Sequence, residues 1–181
     1  MGALFALAER GDQQVDGVRK TATPPCSASQ SWTFTINQPP MGKQRPKATI
    51  RGSHASVYTP SKTLSWEHFA ANELRAAWAG LPALDGDAPL GLEVLCVIAR
   101  PKRLLEQSKR TLAYKHGTAR IWCTAKPDFD NAGKIVADAM QAAGILADDK
   151  AICDGRIRKV YAAVGELPHV EIVLSEIEGA P

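Results

Sequence analysis

The sequence predicts a small α/β domain, of the α+β kind, in which helices pack on a mixed sheet. Three observations support this class. The chain of 181 residues is long enough for one domain with a genuine core. Its apolar residues alternate with polar ones in some segments and recur every three to four residues in two others. Turn residues separate these segments, and the resulting element order is β-α-β-α-β-β.

The first half of the chain contains the first strand and the first helix. Residues 32–37 alternate apolar and polar side chains, which is typical of a half-buried strand. Prolines and a glycine at 39–42 end this strand, and a basic loop is expected after them. A helix from about Lys62 to Ala79 follows, because its apolar residues recur at helical spacing, and Ser61 is its expected cap.

The second half supplies the remaining elements. Residues 90–99 are apolar on both faces, as expected of a central strand. The basic segment 100–124 is interpreted as a loop or an extended arm. A helix over 130–143 carries an apolar stripe, and Gly144 is expected to end it. Two strands then close the domain, at 152–162 and 170–175.

The N-terminal residues 1–30 lack a regular pattern and end in a linker-like stretch rich in Pro, Ser and Thr. They are interpreted as a flexible extension, with the folded domain over 31–178. The apolar run at 3–8 is too short for a signal-peptide core. No apolar stretch approaches the roughly 20 residues that span a bilayer. We therefore expect a cytoplasmic, reduced protein without a membrane partner.

The four cysteines do not indicate a metal site. Cys26, Cys96, Cys123 and Cys153 show no paired-ligand spacing, and no closely spaced histidine pair accompanies them. Cys96 lies in an apolar run and is expected to be a small core residue. A structural zinc site is therefore not expected.

The net charge of +3 conceals a strong segregation of charge. Residues 100–126 contain eight basic residues and one acidic residue. Residues 33–65 contain five basic residues and no acidic residue. Segregation of this kind suggests a surface that faces a polyanion such as DNA. The plainer alternative is a solvated loop rich in lysine and arginine.

The most informative motif is the run 126–131, Lys-Pro-Asp-Phe-Asp-Asn. In an extended Asp-x-Asp, the side chains of Asp128 and Asp130 point to one face, and the dipole of the following helix tolerates negative charge at its start. Asp148 and Asp149 follow after the helix. Clustered carboxylates require a cation, and Mg²⁺ prefers such oxygen ligands. The alternative is that Asp130 caps the helix and Asp128 is solvated.

The helix that follows this motif carries a charged face. Asp130, Lys134 and Asp138 are spaced four residues apart, so their side chains share one side of the helix. This face points either to a reacting group or only to solvent-exposed ion pairs. Gly133 weakens the same helix by about 1 kcal/mol relative to alanine, and a close backbone approach would explain its presence.

The ordered spacing of several runs resembles the RusA family of Holliday junction resolvases. The resemblance extends roughly from Trp32 to Glu176. It is carried by Lys126–Lys134, Asp138 with Ala139, Gly144–Lys150, Gln38–Lys47, Tyr58–Thr63 and Arg158–Tyr161.

The resemblance implies an endodeoxyribonuclease that depends on Mg²⁺ and acts as a homodimer. Such an enzyme resolves four-way DNA junctions by paired symmetric nicks in recombination and repair. Asp128, Asp130 and Asp149 match the essential acidic positions that hold the metal, and Lys134 matches the essential lysine. Asp138 is expected to make a supporting contact. Asp148 is expected either to share the metal or to cap a turn.

Recognition of the junction is expected to depend on shape and on backbone charge. The natural phosphate contacts are the basic residues of segment 100–126, Lys126 among them, and three residues of the first basic stretch, Lys43, Arg45 and Lys47.

Two other functions are compatible with the residues. A metal-dependent nucleotidyl or sugar transferase also uses Asp-x-Asp, although the chain has no Gly-rich phosphate loop of the P-loop kind. A junction-binding protein that no longer cleaves would be favoured by a missing site residue, yet all four positions are filled.

Overall fold

The computed structural model of the protein describes residues 30–51, 54–102, 104 and 119–177. Most of the predicted extension at 1–30 and most of the basic segment 103–121 lie outside the described residues. The described part contains two helices, a mixed five-stranded sheet and a separate two-stranded sheet. This architecture confirms the predicted α+β fold class.

The elements lie close to the predicted positions. The strands are β1 (Ser31–Ile36), β2 (Lys47–Arg51), β3 (His54–Tyr58), β4 (Leu90–Ile98), β5 (Ile121–Trp122), β6 (Ile152–Tyr161) and β7 (His169–Glu176). The helices are α1 (Ser61–Trp78) and α2 (Phe129–Ala143), and a 3₁₀ turn covers Asp149–Ala151.

The large sheet has the strand order β1-β7-β4-β6-β5. Its one parallel pair is β4 with β6, and the other neighbours are antiparallel. A parallel pair requires a long crossover connection, and here the crossover carries β5 and α2. The start of α2 follows the edge strand β5, with residues 123–128 between them.

The core lies between one face of this sheet and the two helices. Alternate residues of β4 and β7 face the helices, for example Val94 and Ile172, which are fully buried. From the helices, Leu74 and Ile135 meet them. No helix in the described part is long and apolar enough to cross a membrane.

The expected basic loop after β1 instead contains a β-hairpin, formed by β2 and β3. Its cross-strand pairs place Lys47, Thr49, Ser56 and Tyr58 on one face. Ala48, Ile50, Ala55 and Val57 form the other face, and Ile50 and Val57 are largely exposed. The alternation is present in the sequence, but flanking prolines and basic residues favoured the loop interpretation.

Two smaller expectations also differ from the structure. Pro60 occupies the N-cap position of α1 and Ser61 is the first helical residue, so Ser61 does not cap the helix. Residues Ile121 and Trp122, expected within a loop or arm, pair with β6 as the short strand β5. Cys96 is buried in β4 as predicted, and burial raises the pKa of its thiol to about 11.

The fold explains Gly133 through its contact with the sheet. A Cβ at this position would lie 2.4 Å from Cδ1 and 3.3 Å from Cγ1 of Ile157 on β6.

We expect Gly133→Ala to destabilise the protein, because overpacking costs about 1–3 kcal/mol and outweighs the helix gain of about 1 kcal/mol. In an Ile157→Val background, which removes Cδ1, the same change should be neutral or stabilising. Urea unfolding of the four proteins measures both effects, and equal effects in the two backgrounds would contradict this packing.

Candidate active site

The Asp-x-Asp motif lies at the start of α2. Asp128 is the N-cap residue with extended backbone, whereas Asp130 already belongs to the first helical turn. The expectation of a fully extended motif is therefore wrong, because the helix begins at Phe129 between the two aspartates. The Asp128 side chain forms no capping hydrogen bond. Both carboxylates instead lie at the positive end of the helix, where negative charge is stabilised.

The segment before the motif is fixed to the sheet by Lys159 of β6. Its Nζ donates to the main-chain carbonyls of Ala125 at 2.8 Å and Pro127 at 2.7 Å. The Lys126–Pro127 peptide bond is cis. Lys159 thereby determines where the chain enters α2.

The loop after β1 packs directly on the start of α2. The main-chain N–H of Lys43 donates to the main-chain carbonyl of Asn131 at 2.9 Å. At Gly42, a Cβ would lie 2.9 Å from Cβ of Pro127 and 3.2 Å from Cβ of Asn131. A side chain does not fit here, so glycine allows the two backbones to approach. This contact places Lys43 next to the start of α2, where the Asp-x-Asp motif lies.

Five charged side chains form a continuous ion-pair chain beside the motif. We define the charge chain as Glu67, Lys43, Asp138, Lys134 and Asp149, in this order. Lys43 Nζ lies 2.5 Å from Oε1 of Glu67 and 2.8 Å from Oδ2 of Asp138. Lys134 Nζ lies 3.2 Å from Oδ1 of Asp138 and donates a hydrogen bond to Oδ2 of Asp149. Asp138 thus binds one ammonium group on each oxygen.

The surroundings of both lysines favour their charged forms. A hydrogen bond to Asp149, with further help from Asp138, raises the pKa of Lys134 above its ordinary value, although partial burial opposes this. Burial lowers the pKa of Lys43, but the hydrogen bonds to Asp138 and Glu67 outweigh it, so this pKa is raised as well. Both side chains are therefore ammonium ions at neutral pH.

The two aspartates after α2 have different surroundings. Asp148 is the N-cap of the 3₁₀ turn, and its Oδ1 accepts a hydrogen bond from the main chain of Lys150 at 3.1 Å. This bond lowers the pKa of Asp148. Of the two expectations for Asp148, the structure shows the turn cap. Asp149 instead turns toward Lys134.

The carboxylates suit a hard cation in their chemistry. Among the described residues, no three His, Cys, Asp or Glu side chains are placed together so that they could hold a metal ion. Mg²⁺ rarely needs such a cage, because it is commonly held by one or two carboxylates together with water and substrate phosphate. In the part of the chain that the structure describes, Asp128 and Asp130 have no cationic partner. Their two carboxylates at one helix terminus fit an ion of this kind.

The residues predicted to contact DNA fall into two groups. Arg45, Lys47 and Lys126 are exposed. Lys43 is half-buried, and its ammonium group faces Glu67 and Asp138. The structure therefore places Lys43 beside the predicted catalytic residues rather than along an open basic surface.

Sequence reasoning did not identify two residues of this region, Glu67 and Lys159. Glu67 lies on α1, far along the chain from both Lys43 and Asp138, and no local spacing connects them. Lys159 belongs to the run Arg158–Tyr161 that resembles the RusA family, but its contact with the motif loop depends on the sheet register.

A family model described as Endodeoxyribonuclease RusA matches residues 37–175. This match covers well over half of the chain. The protein belongs to the RusA endodeoxyribonuclease family. The Bacillus subtilis (strain 168) protein named Uncharacterized protein YqaN is 28% identical over 144 residues, which cover 80% of this chain and 95% of the relative. The RusA match includes the Asp-x-Asp motif and every member of the charge chain.

The charge chain gives a testable stability effect for Lys43. We expect Lys43→Met to lower the free energy of unfolding at pH 7 by about 1–3 kcal/mol, because it leaves the partly buried carboxylate of Glu67 without a counter-charge and leaves Asp138 with only that of Lys134. Since the folded-state pKa of Lys43 is raised, its contribution is complete below the ordinary lysine value of 10.5 and is lost as the pH rises through the folded-state value.

Urea unfolding of the wild type and Lys43→Met at pH 7 and at increasingly alkaline pH measures this effect. Lys150→Met is the matched control, because Lys150 lies 3.9 Å from an exposed Asp87 and should contribute little. An equal loss for both variants, or a difference that persists in strong alkali, would contradict the role of Lys43.

Proposed function

We propose that this RusA-family protein is a Mg²⁺-dependent, structure-selective endodeoxyribonuclease. It resolves four-way junctions by paired symmetric nicks, in DNA recombination and repair in the cytoplasm. The observation that carries this proposal is the arrangement at the start of α2. Two carboxylates without a cationic partner among the described residues precede Lys134 on α2, Asp130 by about one turn and Asp128 by about two, and Lys134 itself contacts the carboxylate of Asp149.

In this proposal, Asp128 and Asp130 hold the metal, and Asp149, which is paired with Lys134 in the structure, would complete the site when metal and DNA are bound. Bound Mg²⁺ would orient the attacking water, neutralise phosphate charge and stabilise the departing 3′ oxygen. Asp128 and Asp130 are kept in place by the contacts that fix the start of α2, from Lys159 on one side and from Lys43 on the other. Asp149 brings the third carboxylate from the 3₁₀ turn beyond the helix.

Lys134 is proposed to act on the scissile phosphate. An ammonium group has three donors, and the contacts to Asp138 and Asp149 use two of them. One donor therefore remains for a phosphate oxygen. The compact charge of a lysine stabilises the negative charge that develops in the transition state.

The hairpin of β2 and β3 is proposed to lie along a duplex arm of the junction. Its polar face carries Lys47 together with Thr49, Ser56 and Tyr58, and Arg45 precedes it. A two-stranded ribbon fits the major groove of DNA, and hydroxyl and basic side chains contact the phosphates beside it. The hairpin begins only a few residues after Lys43, so DNA on this ribbon would extend toward Lys134.

A homodimer is proposed as the active species. A four-way junction has approximate two-fold symmetry, so two copies of one site can cut two opposing strands at equivalent positions. Lys126, exposed just before the motif, would contact the backbone near each cut.

The metal sites can be tested by isosteric changes. We expect Asp128→Asn, Asp130→Asn and Asp149→Asn each to abolish Mg²⁺-dependent cleavage of a four-way junction while sparing junction binding. Each change removes a metal ligand without removing positive charge from the DNA surface. Cleavage is measured in single turnover and binding by mobility shift in Ca²⁺ or EDTA.

Asp148→Asn is the matched control, because the neighbouring Asp148 caps the turn by accepting a hydrogen bond from the main-chain N–H of Lys150. It should retain cleavage. Near wild-type cleavage at low Mg²⁺ by any of the three variants would show that the residue in question is not a ligand. Junction binding with no cleavage by the wild type at any Mg²⁺ concentration would instead favour the junction-binding alternative.

A salt titration of junction binding distinguishes the proposed catalytic role of Lys134 from the DNA-binding role of Arg45 and Lys47. Lys134→Ala should lower the single-turnover rate by orders of magnitude with an unchanged salt dependence of binding, because it acts in the transition state. Neutralising Arg45 and Lys47 together should weaken binding. It should also reduce the slope of log K against log salt by about 0.9 for each phosphate that the variant no longer neutralises.

Lys43→Met is informative in the same titration. An unchanged slope would agree with its position between two carboxylates, whereas a reduced slope would show that it also contacts phosphate. The division of roles would be reversed if Lys134→Ala lost binding and cleavage in parallel while the Arg45 and Lys47 double variant bound normally.

A further inference from the structure

We propose that Asp138, held by Lys43, which is itself held by Glu67, is the residue that positions Lys134 in the active site. This inference rests on the proposed function and extends it to three residues outside the Asp-x-Asp motif. None of the three is proposed to contact DNA or metal in this role. Their effect on cleavage would be transmitted through the position of the Lys134 ammonium group.

The contacts of Asp138 support this role. Its Oδ1 lies 3.2 Å from Nζ of Lys134, and its Oδ2 lies 2.8 Å from Nζ of Lys43. With both oxygens engaged by cations, the carboxylate cannot rotate freely. Asp138 therefore presents one oxygen to Lys134 in a defined direction.

The inner three side chains of the charge chain are less exposed than the outer two. The exposed fraction is 13% at Glu67, 28% at Lys43 and 20% at Asp138, but 51% at Lys134 and 33% at Asp149. Charge pairs in the less exposed part are less screened by water and salt. The inner three residues thus form a fixed support, and Lys134 extends from it toward solvent and substrate.

The inner end is also fixed by the core and the main chain. Glu67 follows Trp66, which is buried and whose Nε1 donates to the carbonyl of Pro39 at 3.0 Å. The main chain of Lys43 is bonded to Asn131 at the start of α2. Lys43 is therefore attached to α2, the helix that contains both Asp138 and Asp130 of the motif.

A simple helical ion pair would not explain this arrangement. An isolated pair four residues apart stabilises a helix only slightly, and the order Lys before Asp is the weaker one. The pair of Lys134 with Asp138 differs because Lys43 has already ordered Asp138. Asp149, the other partner of Lys134, belongs to the proposed metal ligands, so Asp138 is the partner of Lys134 that has no proposed role at the metal.

The main test uses Asp138→Asn, which preserves the shape of the side chain and removes its charge. We expect single-turnover cleavage of a four-way junction at saturating protein to fall about 10- to 100-fold, as for other residues that support a catalytic group. The dissociation constant for the junction should not change. A parallel loss of binding and cleavage would overturn positioning in favour of a general structural effect.

A second readout needs no catalysis. The reactivity of Lys134 toward an acetylating reagent, measured by peptide mass spectrometry without DNA or metal, should rise severalfold in Asp138→Asn and in Lys43→Met. Glu93→Gln is the matched control, because it removes the carboxylate of an ion pair with Arg158 at 2.9 Å on the opposite face of the sheet. Lys134 should react at the wild-type rate in this control.

A double variant tests whether Lys43 acts through Asp138. Lys43→Met alone should slow cleavage, but in the Asp138→Asn background it should have little further effect. If the effects of the two changes on the cleavage rate were fully additive, Lys43 would not act through Asp138. Thermal unfolding verifies that each variant is folded, and Lys43→Met remains as an independent test if Asp138→Asn does not fold.

The outcomes separate this inference from the proposed function. Unchanged reactivity of Lys134 in folded Asp138→Asn overturns the positioning role whether or not the protein cuts junctions. A wild-type protein that does not cut four-way junctions, but whose Lys134 reactivity responds as expected, refutes the proposed function and supports the positioning contact.

Discussion

The two oxygens of Asp138 hold two ammonium groups, and the geometry of the candidate site depends on this double contact. Through Lys43 it connects α2 with the loop after β1 and, by way of Glu67, with α1. Through Lys134 it connects α2 with the 3₁₀ turn at Asp149. Three segments that are distant in sequence are thereby held around the first turns of one helix. The hydrophobic core brings α1 and α2 together, and the charge chain fixes their polar edge.

The distribution of charge around this contact suits a phosphodiester substrate. Within the charge chain, two ammonium groups are shared among three carboxylates, which leaves a net negative charge. Asp128 and Asp130 add two more carboxylates at the start of α2. Such a site repels phosphate until a divalent cation is present. In the proposed function, the exposed basic residues Arg45, Lys47 and Lys126, for which no ion pair with these carboxylates is seen in the described residues, attract the polyanion at longer range. Binding of DNA and activation of the scissile phosphate can therefore involve different residues of one surface.

Much of the fold could be predicted from the sequence, because apolar residues recur at regular spacing in α1 and α2 and are frequent in the central strands. The hairpin was missed because its alternation is short and its apolar face is exposed, so burial gave no signal. The start of α2 was misplaced by one residue, since Phe129 can begin a helix or continue a strand. The candidate residues of α2 could be predicted from local spacing, as for Lys134 and Asp138. The partners Glu67 and Lys43 depend on the packing of α1 against α2, and a single sequence contains no local pattern for such a contact.

Cleavage of a synthetic four-way junction, labelled in turn on each of its four strands, distinguishes a junction-resolving nuclease from a junction-binding protein. We expect the wild-type protein with Mg²⁺ to nick two opposing strands at symmetry-related positions, and EDTA to prevent both nicks. A linear duplex of the same sequence should be cut far more slowly. A junction that is bound but left intact at every Mg²⁺ concentration, or cut no faster than the linear duplex, would show that the protein does not resolve junctions.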